Sequence, residues 1–109
     1  MRKIESEKTL EQSLKNAVES KMHGLCVKLL SDFMTGLPDR MCLLPGGLVI
    51  FIELKTTGKK PRKIQTHVHE KLRSLGFQVQ VIDSTDSMKR LLSGLEEKMK
   101  SNDPGGETI

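Results

Sequence analysis

The sequence predicts one α/β domain, a mixed sheet flanked by helices, in the order α-β-β-β-α-β-α. Three observations carry this reading. Apolar residues recur at helical spacing in three separate stretches. Leu48–Ile52 is an unbroken apolar run, and Phe77–Ile82 alternates as a strand does. Between two apolar runs stands Pro45-Gly46-Gly47, the composition of a hairpin turn. A chain of 109 residues with 36% apolar residues suits a single domain with a small core. That domain is expected over residues 1–100. The tail, 101–109, lacks periodicity and is expected to be disordered.

Each element has its own warrant. The first helix is read from Leu10, Leu14, Ala17, Val18 and Met22, with Thr9-x-x-Gln12 as a capping box and Gly24 as its stop. Leu25–Leu30 follows as a strand, then a loop from Phe33 to Pro38 around Gly36. Met41–Leu44 and Leu48–Lys55 make the hairpin. After the polar loop Thr56–Lys60, Pro61 suits the first turn of a second helix whose buried stripe is Ile64, Val68, Leu72 and Leu75. Gly76 closes that helix. Phe77–Ile82 is the last strand, and Ser84 or Thr85 caps a third helix with Met88, Leu91, Leu92, Leu95 and Met99 on one face.

Composition excludes several functions. The longest apolar run is five residues, far short of a membrane span, and no apolar segment follows the basic N-terminus as in a secretory signal. A cytoplasmic protein is expected. Cys26 and Cys42 lie in apolar stretches and are read as buried free thiols. No Gly-rich phosphate loop is present, and Cys26, Cys42 and His23 lack structural zinc spacing. His67-x-His69 would point its rings to different helix faces, so no shared metal is expected there; His69, four residues after Gln65, is read as solvated, with lining of the cleft as the alternative. Charge is uneven. From Lys55 to Arg73 the net charge is +6, in a chain whose total is +4. Such a concentration suits phosphate-backbone binding, as it also suits a solvated helix face.

The chemistry gathers at the end of the central strand. Phe51, Glu53 and Lys55 share one face, while Ile50, Ile52 and Leu54 share the other. A glutamate and a lysine ending a doubly buried strand conflict with its pattern, unless the strand leaves the sheet there or a site compensates them. Upstream lies Gly36-Leu37-Pro38-Asp39, where Pro38 restricts the backbone and helps to aim Asp39. Hairpin pairing brings Asp39 beside Glu53. Two carboxylates so placed need a proton or cation between them, and oxygen donors suit Mg²⁺ or Mn²⁺.

These residues resemble a known pattern. Pro38-Asp39 with Glu53-Leu54-Lys55 looks like the motif of the PD-(D/E)xK nuclease superfamily, whose core is restriction-endonuclease-like. Glu11 on the first helix, Gly36-x-Pro-Asp-Arg40, the Pro-Gly-Gly turn, Glu53-x-Lys, Gln65 and Leu75–Ile82 together resemble the VRR-NUC domain in its stand-alone viral or bacterial type. The resemblance covers about Glu7 to Leu92. It implies that Asp39, Glu53 and the Leu54 carbonyl bind a metal, with Glu11 completing or supporting the shell; Glu7, one turn earlier, faces the same way, and Glu11 read without the resemblance is a surface acid of an amphipathic helix. It further implies that Lys55 holds the attacking water and stabilises phosphate charge, and that Gln65 orients Lys55 or that water.

The function so implied is a Mg²⁺-dependent (Mn²⁺ as substitute), structure-selective DNA endonuclease. Stand-alone domains of this type resemble homodimers that resolve Holliday (four-way) junctions. A monomeric flap or nicking nuclease and a non-catalytic nucleic-acid-binding module are the alternatives. Three Phe and no Trp or Tyr leave little surface for stacking unpaired bases, which favours a double-stranded DNA backbone; that the duplex is branched is what the resemblance implies. Lys59, Lys60, Arg62 and Lys63 are the expected DNA contacts. Lys28, which has a lysine counterpart in the family, is either a further contact or an edge-strand lysine that discourages aggregation.

Overall fold

A computed structural model describes residues 3–32 and 34–102 of the chain. Helix α1 (Glu7–Asn16) continues into a π-helical turn (Ala17–Lys21). Then come β1 (Leu25–Lys28), β2 (Arg40–Leu44), β3 (Leu48–Leu54), α2 (Lys63–Ser74), β4 (Gln78–Ile82) and α3 (Thr85–Asn102). The sheet order is β1-β2-β3-β4. The first two pairings are antiparallel and β3–β4 is parallel, because α2 returns the chain to the same end of the sheet. The expected element order and mixed sheet hold. The expected tail begins inside α3, which runs to Asn102; residues 103–109 lie outside those described. Among the described residues no helix is long and apolar enough to cross a membrane.

Alternation along β3 divides the interior into two layers. Ile50, Ile52 and Leu54 pack with Leu10, Leu14 and Val18, with Ile82, and with Met88 and Leu95 of α3. Each such buried aliphatic side chain contributes about 1.5–3 kcal/mol. The four-residue spacing Leu10, Leu14, Val18, Met22 overshoots a helical turn by about 40° per step. A wider π turn at the end of α1 offsets that drift, and Met22 stays buried. The opposite layer holds Phe51, Val79 and Val68, and into it β3 and α2 also turn Glu53, Gln65 and His69.

Several boundaries differ from the sequence reading, each for a local reason. The α1 cap is Ser6, not Thr9: Ser6 is extended and its Oγ accepts from the Thr9 N–H at 3.2 Å. Gly24 does not supply the conformation that ends the segment, since His23 takes the positive φ of 60°. What requires glycine there is space, because a Cβ would lie 2.4 Å from the Leu43 carbonyl oxygen. β1 stops at Lys28, two residues early, although Leu29 N–H still donates to the Asp39 carbonyl at 2.9 Å. Helix α2 starts at Lys63, so Pro61 precedes it instead of opening it. Its buried stripe is also rotated. Gln65, Val68 and His69 face inward, while Ile64 and Leu75 are 40% and 60% exposed. The cause is that α2 turns two polar residues toward Glu53. Phe77, read from the sequence as the first residue of the last strand, precedes β4, is 41% exposed and meets Phe51 edge-on at 5.5 Å.

Candidate active site

Register brings the two acids together. Arg40 pairs with Ile52 across β2–β3, so Asp39, one residue earlier, lies beside Glu53, one residue later. The Asp39 carboxylate reaches across the strand end and its Oδ2 accepts from Leu54 N–H at 2.7 Å. Buried Pro38 and Gly36 hold the approach. Gly36 has a φ of 92°, and a Cβ there would sit 2.7 Å from the Ile64 carbonyl oxygen. Its lack of a side chain therefore lets the loop before Asp39 lie directly on α2.

Glu53 is only 1% exposed. Its Oε2 accepts from Gln65 Nε2 at 2.8 Å and lies 3.4 Å from Lys55 Nζ. The Gln65 amide is itself oriented, because its Oε1 accepts from the Arg62 N–H at the start of α2, at 2.8 Å. Lys55 is fixed at the backbone, where its N–H donates to the Ile82 carbonyl at 3.0 Å and extends the parallel pairing. Burial, and then the negative charge of Asp39, push the Glu53 carboxyl up to about 7, with Glu7 adding to the rise and Lys55 opposing it.

The other oxygen of Glu53 has a different neighbour. His69, one turn after Gln65 and 2% exposed, places Nε2 at 3.7 Å from Glu53 Oε1. Neither atom has a hydrogen-bond partner among the described residues. Burial lowers the His69 pKa, as do the cations of Arg73 and Lys55, while Asp39 opposes. The solvated role expected of His69 is thus corrected. The signal was available in its spacing, since four residues after Gln65 is the same helix face.

The first-helix acids divide. Glu11 Oε2 accepts from Arg40 Nε at 2.9 Å, and Arg40 Nη1 also donates to the Cys26 carbonyl at 3.0 Å. Arg40 alternates with Asp39 and belongs to the opposite face of the sheet. The charges acting on Glu53 come instead from Asp39, Lys55 and Glu7. Cys26 and Cys42 are free and buried, as expected.

A cleft of about 280 Å³ opens onto this site, with Asp39 and Gln65 in its wall and Lys28 and Arg62 among its lining residues. Lys59, Lys60 and Lys63 are exposed on the loop and first turn that follow β3. Buried Thr57 anchors that loop: its N–H donates to the Glu5 carbonyl at 3.1 Å and its hydroxyl to the Asp83 carbonyl at 2.6 Å. Two larger depressions of about 480 Å³ border α3 and contain none of the five expected catalytic residues.

Among the described residues no three His, Cys, Asp or Glu side chains form a ready cage for a metal ion. The donors present nevertheless fit a small hard cation. A buried carboxylate oxygen of Glu53 is unpartnered beside the negative charge of Asp39. Mg²⁺ commonly takes only one or two carboxylates and keeps several waters.

Relatives bear on this geometry. No family model matches the sequence. It is 41% identical over 80 residues to "Putative nuclease p44" of Acyrthosiphon pisum secondary endosymbiont phage 1, covering 73% of this chain and 85% of that protein. A solved structure described as a VRR_NUC domain matches with a TM-score of 0.72 at 28% identity, over 82% of this chain and 97% of that one. The chain belongs to the VRR-NUC nuclease family. In this VRR-NUC domain the Asp39–Glu53–Lys55–Gln65 group sits where β2, β3 and α2 converge, and Glu11 braces Arg40 on the far side of the sheet.

Proposed function

We propose that this chain is a Mg²⁺-dependent, structure-selective DNA endonuclease that acts as a homodimer on four-way junctions. The observation that carries the hydrolytic reading is the approach of Asp39 to a buried, half-satisfied Glu53 whose other oxygen is held by Gln65 and Lys55. Asp39, Glu53 and the Leu54 carbonyl would hold the cation. Mn²⁺ would serve as a substitute of similar donor preference. When bound, it supplies Lewis acidity toward the phosphate and lowers the pKa of water.

The chain's own residues do the rest. Lys55, mostly shielded from solvent, offers a fixed ammonium to the attacking water and to charge developing on the phosphate. Gln65 acts through Glu53: its oriented amide restricts the carboxylate to one rotamer. Of the first-helix acids, Glu7 adds negative potential at Glu53. Glu11 braces Arg40, next in the chain to Asp39. Lys28 and Arg62 at the cleft, with Lys59, Lys60 and Lys63 beside it, suit a duplex backbone read by phosphate spacing.

A two-fold junction requires two symmetric cuts, and a two-fold dimer supplies two sites. The test is cleavage of an end-labelled four-way junction against a matched linear duplex, with sedimentation of the free protein. Paired symmetric nicks in the junction by a dimer are expected. Equal affinity for both DNAs at moderate salt, or a monomer at micromolar concentration, would overturn the junction-resolving part.

A further inference from the structure

The geometry points to His69 as a positioning residue of this site, its imidazole Nε2–H holding Oε1 of Glu53 while Gln65 holds Oε2. The inference rests on the proposed role of Glu53 as a cation ligand. Three observations support it. His69 and Glu53 are 2% and 1% exposed, so neither polar end has bulk water as an alternative partner. Their facing atoms, Nε2 and Oε1, are 3.7 Å apart and are both unpartnered among the described residues. His69 also stands one helical turn beyond Gln65, so one rigid helix presents both donors to one carboxylate.

The separation is longer than a hydrogen bond, as often found at catalytic groups before they are loaded. A carboxylate oxygen has more than one acceptor position, so Oε1 can accept from His69 and still face a cation. With both oxygens held, Glu53 cannot rotate about its terminal bond, and its charge stays aimed at the space beside Asp39. An apolar group at position 69 leaves Oε1 buried without a donor, and the carboxylate then has no fixed orientation. Loss of such an outer partner typically weakens metal affinity about 10–100-fold.

The probe is Mn²⁺ alone, titrated calorimetrically into wild type, His69→Leu and His69→Gln, each checked for folding by circular dichroism. Glutamine keeps an N–H donor at about the reach of Nε2; leucine keeps only bulk. Expected are a Kd raised about 10–100-fold in H69L and restored to within a few-fold of wild type in H69Q. Wild-type affinity in H69L, or equal loss in both variants, would overturn the positioning role. Independent of either variant folding, the imidazole ¹⁵N spectrum of wild type with Mg²⁺ should show a proton on His69 Nε2; an unprotonated Nε2 would overturn the inference. Failure of wild type to bind Mn²⁺ at all would remove the cation-ligand reading itself, and this inference with it.

Discussion

Replacing Glu53 with glutamine preserves shape and removes charge, and its effect on metal-free stability can be worked out. The unfolded carboxyl titrates at its ordinary value of 4.5, whereas in the folded protein it titrates at about 7. Below the lower value the group is protonated in both states and costs nothing. Between the two values the folded state binds more protons than the unfolded state, so stability falls as pH rises. Above about 7 the native state carries a buried charge beside Asp39 in full. The difference corresponds to about 3 kcal/mol. Urea unfolding in metal-free buffer at pH 4.5, 6 and 8 reads this directly. Relative to E53Q, wild type should lose about 3 kcal/mol across that range, and a divalent cation at about 100 times its Kd should restore about 2.7 kcal/mol at pH 8. Parallel pH profiles for the two proteins would refute the reasoning, because the strain at Glu53 would then be absent.

Two further outcomes follow from the same geometry. Lys55→Met should lower kcat about 10²–10³-fold, and Lys55→Arg should not restore it fully, since a planar guanidinium replaces a compact ammonium next to Glu53; single-turnover cleavage measures both. Lys60→Ala and Arg62→Ala should each reduce the slope of log Kd against log salt by about 1 on any duplex DNA. An unchanged slope would remove that residue from the backbone contacts.

Much of the fold was legible because strands and helices here obey simple periods. The hairpin around Pro45-Gly46-Gly47 places Asp39 beside Glu53 by counting alone, and in the structure Asp39 lies just past the Arg40–Ile52 pair with its carboxylate on the Leu54 N–H. Gln65 was legible only through resemblance, since a glutamine on a helix carries no signal of its own. The errors cluster where a polar group is buried. Periodicity alone makes α2 an ordinary amphipathic helix, with Ile64 and Leu75 in its buried stripe and His69 in solvent. Hydrophobic periodicity cannot see that Glu53 draws Gln65 and His69 inward. Glu11 illustrates a different limit. Helical register put Glu7 and Glu11 on one face, but only packing shows Arg40 taking Glu11 while the charge of Glu7 reaches Glu53. The π turn at Ala17–Lys21 is a different case: its signal is the unbroken four-residue spacing Leu10, Leu14, Val18, Met22, which an ordinary helix cannot keep on one face.

The central claim is that Asp39 and Glu53 together make a cation-dependent phosphodiesterase. Its most direct test is cleavage of end-labelled branched DNA by wild type and Asp39→Ala, each with Mg²⁺ and with EDTA. The account predicts nicking by wild type in Mg²⁺ alone, with EDTA and the substitution each abolishing it. Equal nicking by Asp39→Ala, or nicking that persists in EDTA, would contradict it. Binding without any cleavage would contradict it too, in favour of a nucleic-acid-binding module built on the same fold.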